Sequence, residues 1–151
     1  MSFQWSPQQA TAIARVSEWY ARSGSERVFY LAGFAGTGKT TIARHIVAET
    51  GAQPCYAAFT GKAAQVMRNS GCEDAGTLHS KMYKFKEKNG RFVKSLHKGK
   101  SSPIVMSDLV VIDECSMVDQ ELGQDLMSFG KPILVLGDPA QLPPVNGAGF
   151  F

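Results

Sequence analysis

Residues 33–41 read Gly-Phe-Ala-Gly-Thr-Gly-Lys-Thr-Thr. They fit the pattern G-x-x-x-x-G-K-S/T, with Gly33, Gly38, Lys39 and Thr40 at its fixed places. The flanks supply the context that this pattern requires. Before it, residues 28–32 (VFYLA) form a short apolar run suited to a buried strand. After it, Ile42, Ile46 and Val47 recur at helical spacing. In a strand–glycine loop–helix unit, successive backbone N–H groups turn inward around a phosphate, and the new helix points its positive end at it. Gly36, Thr37, Gly38, Lys39, Thr40 and Thr41 are therefore candidate phosphate contacts. Lys39 adds a full charge for the outer phosphates, and Thr40 offers a hydroxyl to a magnesium ion. A glycine turn that binds nothing is the competing account, and the correct strand–helix frame argues against it.

Working outward, the chain alternates between the two periods. Ser6 and Pro7 suit a helix cap and first helical position, and Gln9 would complete a capping box. Ala10, Ile13, Ala14, Ser17 and Tyr20 are expected to line the buried face of that helix. Strands are expected near 27–32, 54–59, 109–112 and 132–136, with helices at about 39–50, 61–69 and 118–129. Gly51, Gly71 and Gly130 stand where helix ends favour glycine. Strands alternating with helices predict an α/β fold, a parallel sheet covered on both faces. Ligands in such sheets sit beyond the C-terminal ends of the strands. The apolar run 109–112 leads straight into Asp113 and Glu114 at such an end. Asp113 fits a magnesium ligand shared with Thr40, and Glu114 a general base for the attacking water. A helix cap is the alternative for either acid. Gln141, in the proline-rich stretch 137–145, is long enough to reach a terminal phosphate from the same rim.

Composition is ordinary for a globular domain of 151 residues: 44% apolar and 19% charged. No apolar run reaches the ~18 residues of a membrane span, and the N-terminus carries no secretion signal. Cys55, Cys72 and Cys115 are odd in number and widely spaced, which suggests a reducing, cytoplasmic setting. Charge is uneven. Residues 81–100 hold eight basic side chains and one acid, a net +7 against −4 for the rest. Within that segment Lys84 and Lys86 alternate with Tyr83 and Phe85, and Asn89-Gly90 is the strongest two-residue hairpin signal. A hairpin this small and charged has no core of its own, so it is expected to project from the body as an insertion at about 81–100. Its cations, Lys84, Lys86 and Arg91 among them, suit the phosphates of a polyanion. A solvated surface loop is the bland alternative. Phe85 and Phe92 are expected to pack within the hairpin more than to stack on bases.

Taken together these stretches resemble superfamily 1 helicases. GFAGTGKTT (33–41) looks like motif I, AFTGKAA (58–64) like motif Ia, TLHS (77–80) like motif Ib, VVIDECSM (110–117) like motif II and LGDPAQLPPV (136–145) like motif III. SPQQ (6–9) resembles the adenine-reading glutamine motif, with Gln9 as its equivalent. The TGKAA, DECSM and GDPAQLPPV versions are similar to those of the RecD-like, 5′-to-3′ branch, superfamily 1B. The resemblance implies a RecA-like, P-loop NTPase sheet using ATP and Mg2+. Lys39, Thr40, Asp113 and Glu114 keep the roles argued above, and Gln141 would sense the γ-phosphate. Thr60, Gly61 and Lys62 would touch the backbone of single-stranded DNA, with His79 along the same track; for His79 a packed core histidine stands equally open. The hairpin falls where this branch carries a pin that helps split a duplex fork. The sequence ends at Phe151, after motif III, so residues 1–151 would be a first motor domain without its second RecA-like partner and that partner's arginines. Such a piece is expected to bind ATP–Mg and hydrolyse it slowly, since an arginine finger is worth roughly a thousandfold or more. Replication or recombination subunits would be further partners. The alternative of another class is a nucleic-acid-binding or interaction module with an inactive nucleotide pocket. A small-molecule kinase is weaker still, for want of an acceptor site or a lid.

Overall fold

In the computed structural model, the structure describes residues 7–22, 28–32, 39–113 and 120–137. The elements are α1 (Pro7–Ala21), β1 (Val28–Ala32), α2 (Lys39–Thr50), β2 (Pro54–Ala58), α3 (Gly61–Asn69), β3 (Gly76–Thr77), α4 (Leu78–Met82), β4 (Tyr83–Lys88), β5 (Arg91–Leu96), β6 (Leu109–Asp113), α5 (Gln120–Met127) and β7 (Ile133–Gly137). The four expected buried strands are present, and Gly51, Gly71 and Gly130 carry positive φ just past α2, α3 and α5. A fifth strand, β3, has only two residues and no apolar run to announce it.

The sheet runs β1-β7-β6-β2-β3, with every pair parallel. Its two faces follow from the two-residue period of the strands. Leu109, Val111, Leu134 and Leu136 join Ile13, Val16, Trp19, Ile42, Ile46, Ala64 and Met67 on one side, under α1, α2 and α3. Val110, Ile112, Ile133 and Val135 join Leu78, Met82, Ile104, Leu122 and Leu126 on the other, under α4 and α5. Runs such as Leu109–Ile112 are apolar at every residue because both faces are covered.

The buried face of α1 differs from the expected one. Ala10 and Ala14 are exposed, Ser17 and Tyr20 are half-buried, and the seam is Ile13, Val16 and Trp19. Burying Trp19 and Val16 removes far more apolar area than burying two alanines, so the helix turns to them. Trp19 sits with its ring centroid 5.6 Å from that of Phe29 on β1.

Cys55 and Cys72 are buried free thiols on opposite sides of the sheet. Burial pushes both up to about 11 from an ordinary 9.0. Folded-state values raised above unfolded ones give stability that is complete below about pH 9 and is lost as pH rises through about 11. Urea midpoints should therefore fall across that window, and the Cys55→Ala/Cys72→Ala protein should show a shallower fall. An equal slope in that variant would show that the thiols titrate alike in the folded and unfolded chain.

Candidate functional site

The register of the sheet fixes where its C-terminal rim lies. Leu31 pairs with Leu136, Leu136 with Asp113, Asp113 with Ala58 and Ala58 with Thr77, one row across five strands. Neighbouring strands lie about 4.8 Å apart, so β1 and β6, separated by β7, are roughly 10 Å apart. Asp113 is the last residue of β6 and is half-buried there. The first turn of α2 belongs to the same rim for a simple reason. From Thr50 the chain enters β2 at Pro54, the N-terminal edge of a parallel sheet, so the other end of α2 lies at the C-terminal edge. That end carries Lys39, Thr40 and Thr41, of which Thr40 and Thr41 are half-buried.

Thr40 and Asp113 are a hydroxyl and a carboxylate on one rim. Mg2+ is usually held by one or two such protein oxygens, with phosphates and waters completing the octahedron, and this donor set fits that role. Gln9 is half-buried on the first turns of α1. Gly36, Thr37, Gly38, Glu114 and Gln141 lie outside the described residues, as does Ser6 with its capping box.

Further along the rim, Thr60 caps α3: its Oγ1 accepts from Ala63 N–H at 3.1 Å. The cap uses the hydroxyl as acceptor, which leaves its proton able to donate outward. Thr60, Gly61 and Lys62 are all exposed. His79, on α4, is exposed too, so the packed-core account of it is corrected. Its ring meets Phe59 edge-on at 6.1 Å and Tyr83 at 5.8 Å.

The hairpin forms as the Asn89-Gly90 signal requires. Asn89 and Gly90 have φ of 54° and 77°, the paired positive values of a type I′ turn. The register Lys88↔Arg91 through Tyr83↔Leu96 then assigns every side chain to a face. Lys84, Lys86, Lys88 and Arg91 share one face with Val93 and Ser95. Tyr83, Phe85, Phe92 and Leu96 share the other with Glu87 and Lys94. Lys84, Lys86 and Arg91 are exposed, and Lys88 joins them. The pattern of the sequence alone did not single out Lys88, although a two-residue turn at 89–90 already pairs it with Arg91. Phe85 and Phe92 correct the expectation of packing: they are 62% and 78% exposed, on the outer part of a face whose root, at Tyr83, is buried against the body. Other cations of the segment are engaged elsewhere. Lys81 Nζ donates to the Asp74 carbonyl at 2.7 Å, Lys94 lies over the Tyr83 ring at 4.4 Å, and Lys98 donates to the Ser128 carbonyl at 3.3 Å.

One parallel sheet, helices on both faces and the glycine–lysine sequence pattern of residues 33–41 following an edge strand define a P-loop NTPase domain of the RecA-like type. Residues 18–147 match the model of an AAA domain family, and the chain belongs to that family. Its fold is shared with part of the Pif1 helicase structures. A structure described as two coordinating Pif1 helicases unwinding forked duplex DNA matches with TM-score 0.65 at 22% identity, over 96% of this chain and 36% of that one. Pif1 from Bacteroides, solved with ADP-AlF3 and single-stranded DNA, matches with TM-score 0.63 at 23% identity, over 96% and 34%. Among curated proteins, an uncharacterized protein of Acanthamoeba polyphaga mimivirus is 34% identical over 84% of this chain. A probable conjugal transfer protein TraA of Sinorhizobium fredii is 29% identical over 97%. The chain spans 31% of the first of these relatives and 12% of the second.

Proposed function

We propose that this chain is the ATP-binding motor domain of a DNA helicase of the RecD-like, 5′-to-3′ branch, coupling ATP hydrolysis to movement along a single strand and to opening of a fork. The observation that carries the reading is the shared rim: the first turn of α2 and Asp113 at the end of β6 stand at the same edge of one sheet, with exposed Thr60, Gly61 and Lys62 beside them. On this reading Lys39 holds the β- and γ-phosphates, and Thr40 and Asp113 hold Mg2+. The metal supplies charge neutralisation across those phosphates. Glu114 takes the proton of the attacking water, Gln141 reports the γ-phosphate and Gln9 reads the adenine. Thr60, Gly61, Lys62 and His79 follow the strand, and Lys84, Lys86 and Arg91 meet its phosphates at the fork. A second RecA-like domain would supply the arginines that speed hydrolysis, so this domain alone turns over slowly.

Likeness to proteins described as bound to single-stranded DNA, forked duplex and ADP-AlF3 supports the choice of ligands. Among the described residues no helix is long and apolar enough to cross a membrane, and a cytoplasmic setting with replication or recombination partners belongs to the same proposal. A second reading is favoured by the cationic face, which needs no nucleotide to exist: a nucleic-acid-binding module with an inactive pocket. Titrating labelled single-stranded DNA with and without ATP–Mg separates the two. A motor domain binds nucleotide and changes its DNA affinity in response. Salt-sensitive DNA binding with no nucleotide binding at all would select the module and remove the motor.

A further inference from the structure

The root of the hairpin is fastened to α5. Tyr83, the first residue of β4, is buried, and its hydroxyl donates to Asp125 Oδ2 at 2.6 Å. A phenol donating to a carboxylate at this length is a charge-assisted bond, the stronger class of hydrogen bond. Lys94 from the paired strand and His79 from α4 cover the Tyr83 ring, at 4.4 and 5.8 Å. From the other arm, Lys98 donates to the carbonyl of Ser128 and lies 5.3 Å over the ring of Phe129, just past the end of α5. The opposite end of α5 begins at Gln120, shortly after Asp113 in the chain. Leu122 and Leu126 pack in one cluster with Ile112 of β6 and with Leu78, Met82 and Tyr83. A single short helix therefore shares a core cluster with the strand that ends in Asp113 and is hydrogen-bonded to the base of the arm that carries the cationic face.

We propose that Tyr83 and Asp125 are positioning residues that tie the hairpin to α5, so that filling the nucleotide site changes the hairpin's hold on a single strand. The inference rests on the motor reading above and adds a route to it. Coupling of this kind is reciprocal: whatever the nucleotide does to DNA affinity, DNA does to nucleotide affinity by the same factor. Were the bond merely a brace, its loss would weaken DNA binding equally with and without nucleotide.

The test measures the ratio of single-stranded DNA affinities with and without a non-hydrolysable ATP analogue and Mg2+, in the whole chain. In the unaltered protein the ratio should depart from one by about fivefold or more. Tyr83→Phe keeps the buried ring and loses the donor, and should bring the ratio to within about twofold of one while nucleotide affinity holds. Asp125→Ala should do the same. Asp125→Asn keeps an acceptor oxygen and should retain most of the ratio, which separates coupling from loss of fold. A ratio near one in the unaltered protein, or an unaltered ratio in Tyr83→Phe, would overturn the inference. Absence of nucleotide or DNA binding in the unaltered protein would instead remove the motor reading itself.

Discussion

Lys39→Ala should lower the affinity of this chain for ATP–Mg by roughly 10- to 100-fold, read by titration with a fluorescent nucleotide. The magnitude is that of hydrogen bonds between one ammonium and phosphate oxygens, about 1.5–3 kcal/mol, with each 1.4 kcal/mol worth tenfold. Lys39 is the first residue of α2, and the packing of that helix rests on Ile42, Ala43 and Ile46. The substitution should therefore leave the melting temperature nearly where it was. Lost affinity with an intact fold assigns the lysine to phosphate. Unchanged affinity would mean that the glycine loop is a turn of the backbone and no more.

The second large effect concerns the hairpin. Lys84→Ala/Lys86→Ala/Arg91→Ala strips three cations from one face and leaves the register to the backbone and the Asn89-Gly90 turn. Each phosphate neutralised on a single strand contributes about 0.7 to the slope of log affinity against log salt. Without these three cations the slope should flatten by about 2, and binding at ~0.1 M salt should weaken by roughly 100-fold. Lys94→Ala/Lys98→Ala removes charge from the same segment, but these side chains lie over Tyr83 and Phe129. It should change the slope far less. Equal effects from the two variants would mean that net charge matters and the face does not. The three sites are exposed, so stability should move by no more than about 0.5 kcal/mol per substitution.

Much of the fold could be read from local pattern. Four strands are short apolar runs with helices between them, and burial on both faces is why those runs do not alternate. The Asn89-Gly90 turn was legible because only a few residue pairs accept two positive φ values in succession. Other features needed partners distant in the chain. The true face of α1 is chosen by what Trp19 finds on β1, whereas helical spacing alone favoured two alanines instead. β3 exists because Ala57 and Ala58 offer an edge to Gly76 and Thr77, not because of any run of its own. The exposure of Phe85 and Phe92 depends on how far the hairpin extends beyond its buried root at Tyr83, which no spacing reveals. The bond from Tyr83 to Asp125 joins residues 42 apart. In the site, the motif order was legible throughout, while the common rim of Thr40 and Asp113 came from sheet order and register.

That rim is tested most directly by the metal dependence of nucleotide binding in Asp113→Asn. The unaltered protein should bind ATP more tightly in Mg2+ than in EDTA, by roughly tenfold, about what one charge-assisted contact provides. Asp113→Asn should erase that difference and leave the affinity in EDTA as it was. An Asp113→Asn protein that still answers fully to Mg2+ would contradict the convergence of Lys39, Thr40 and Asp113 on one nucleotide and its metal.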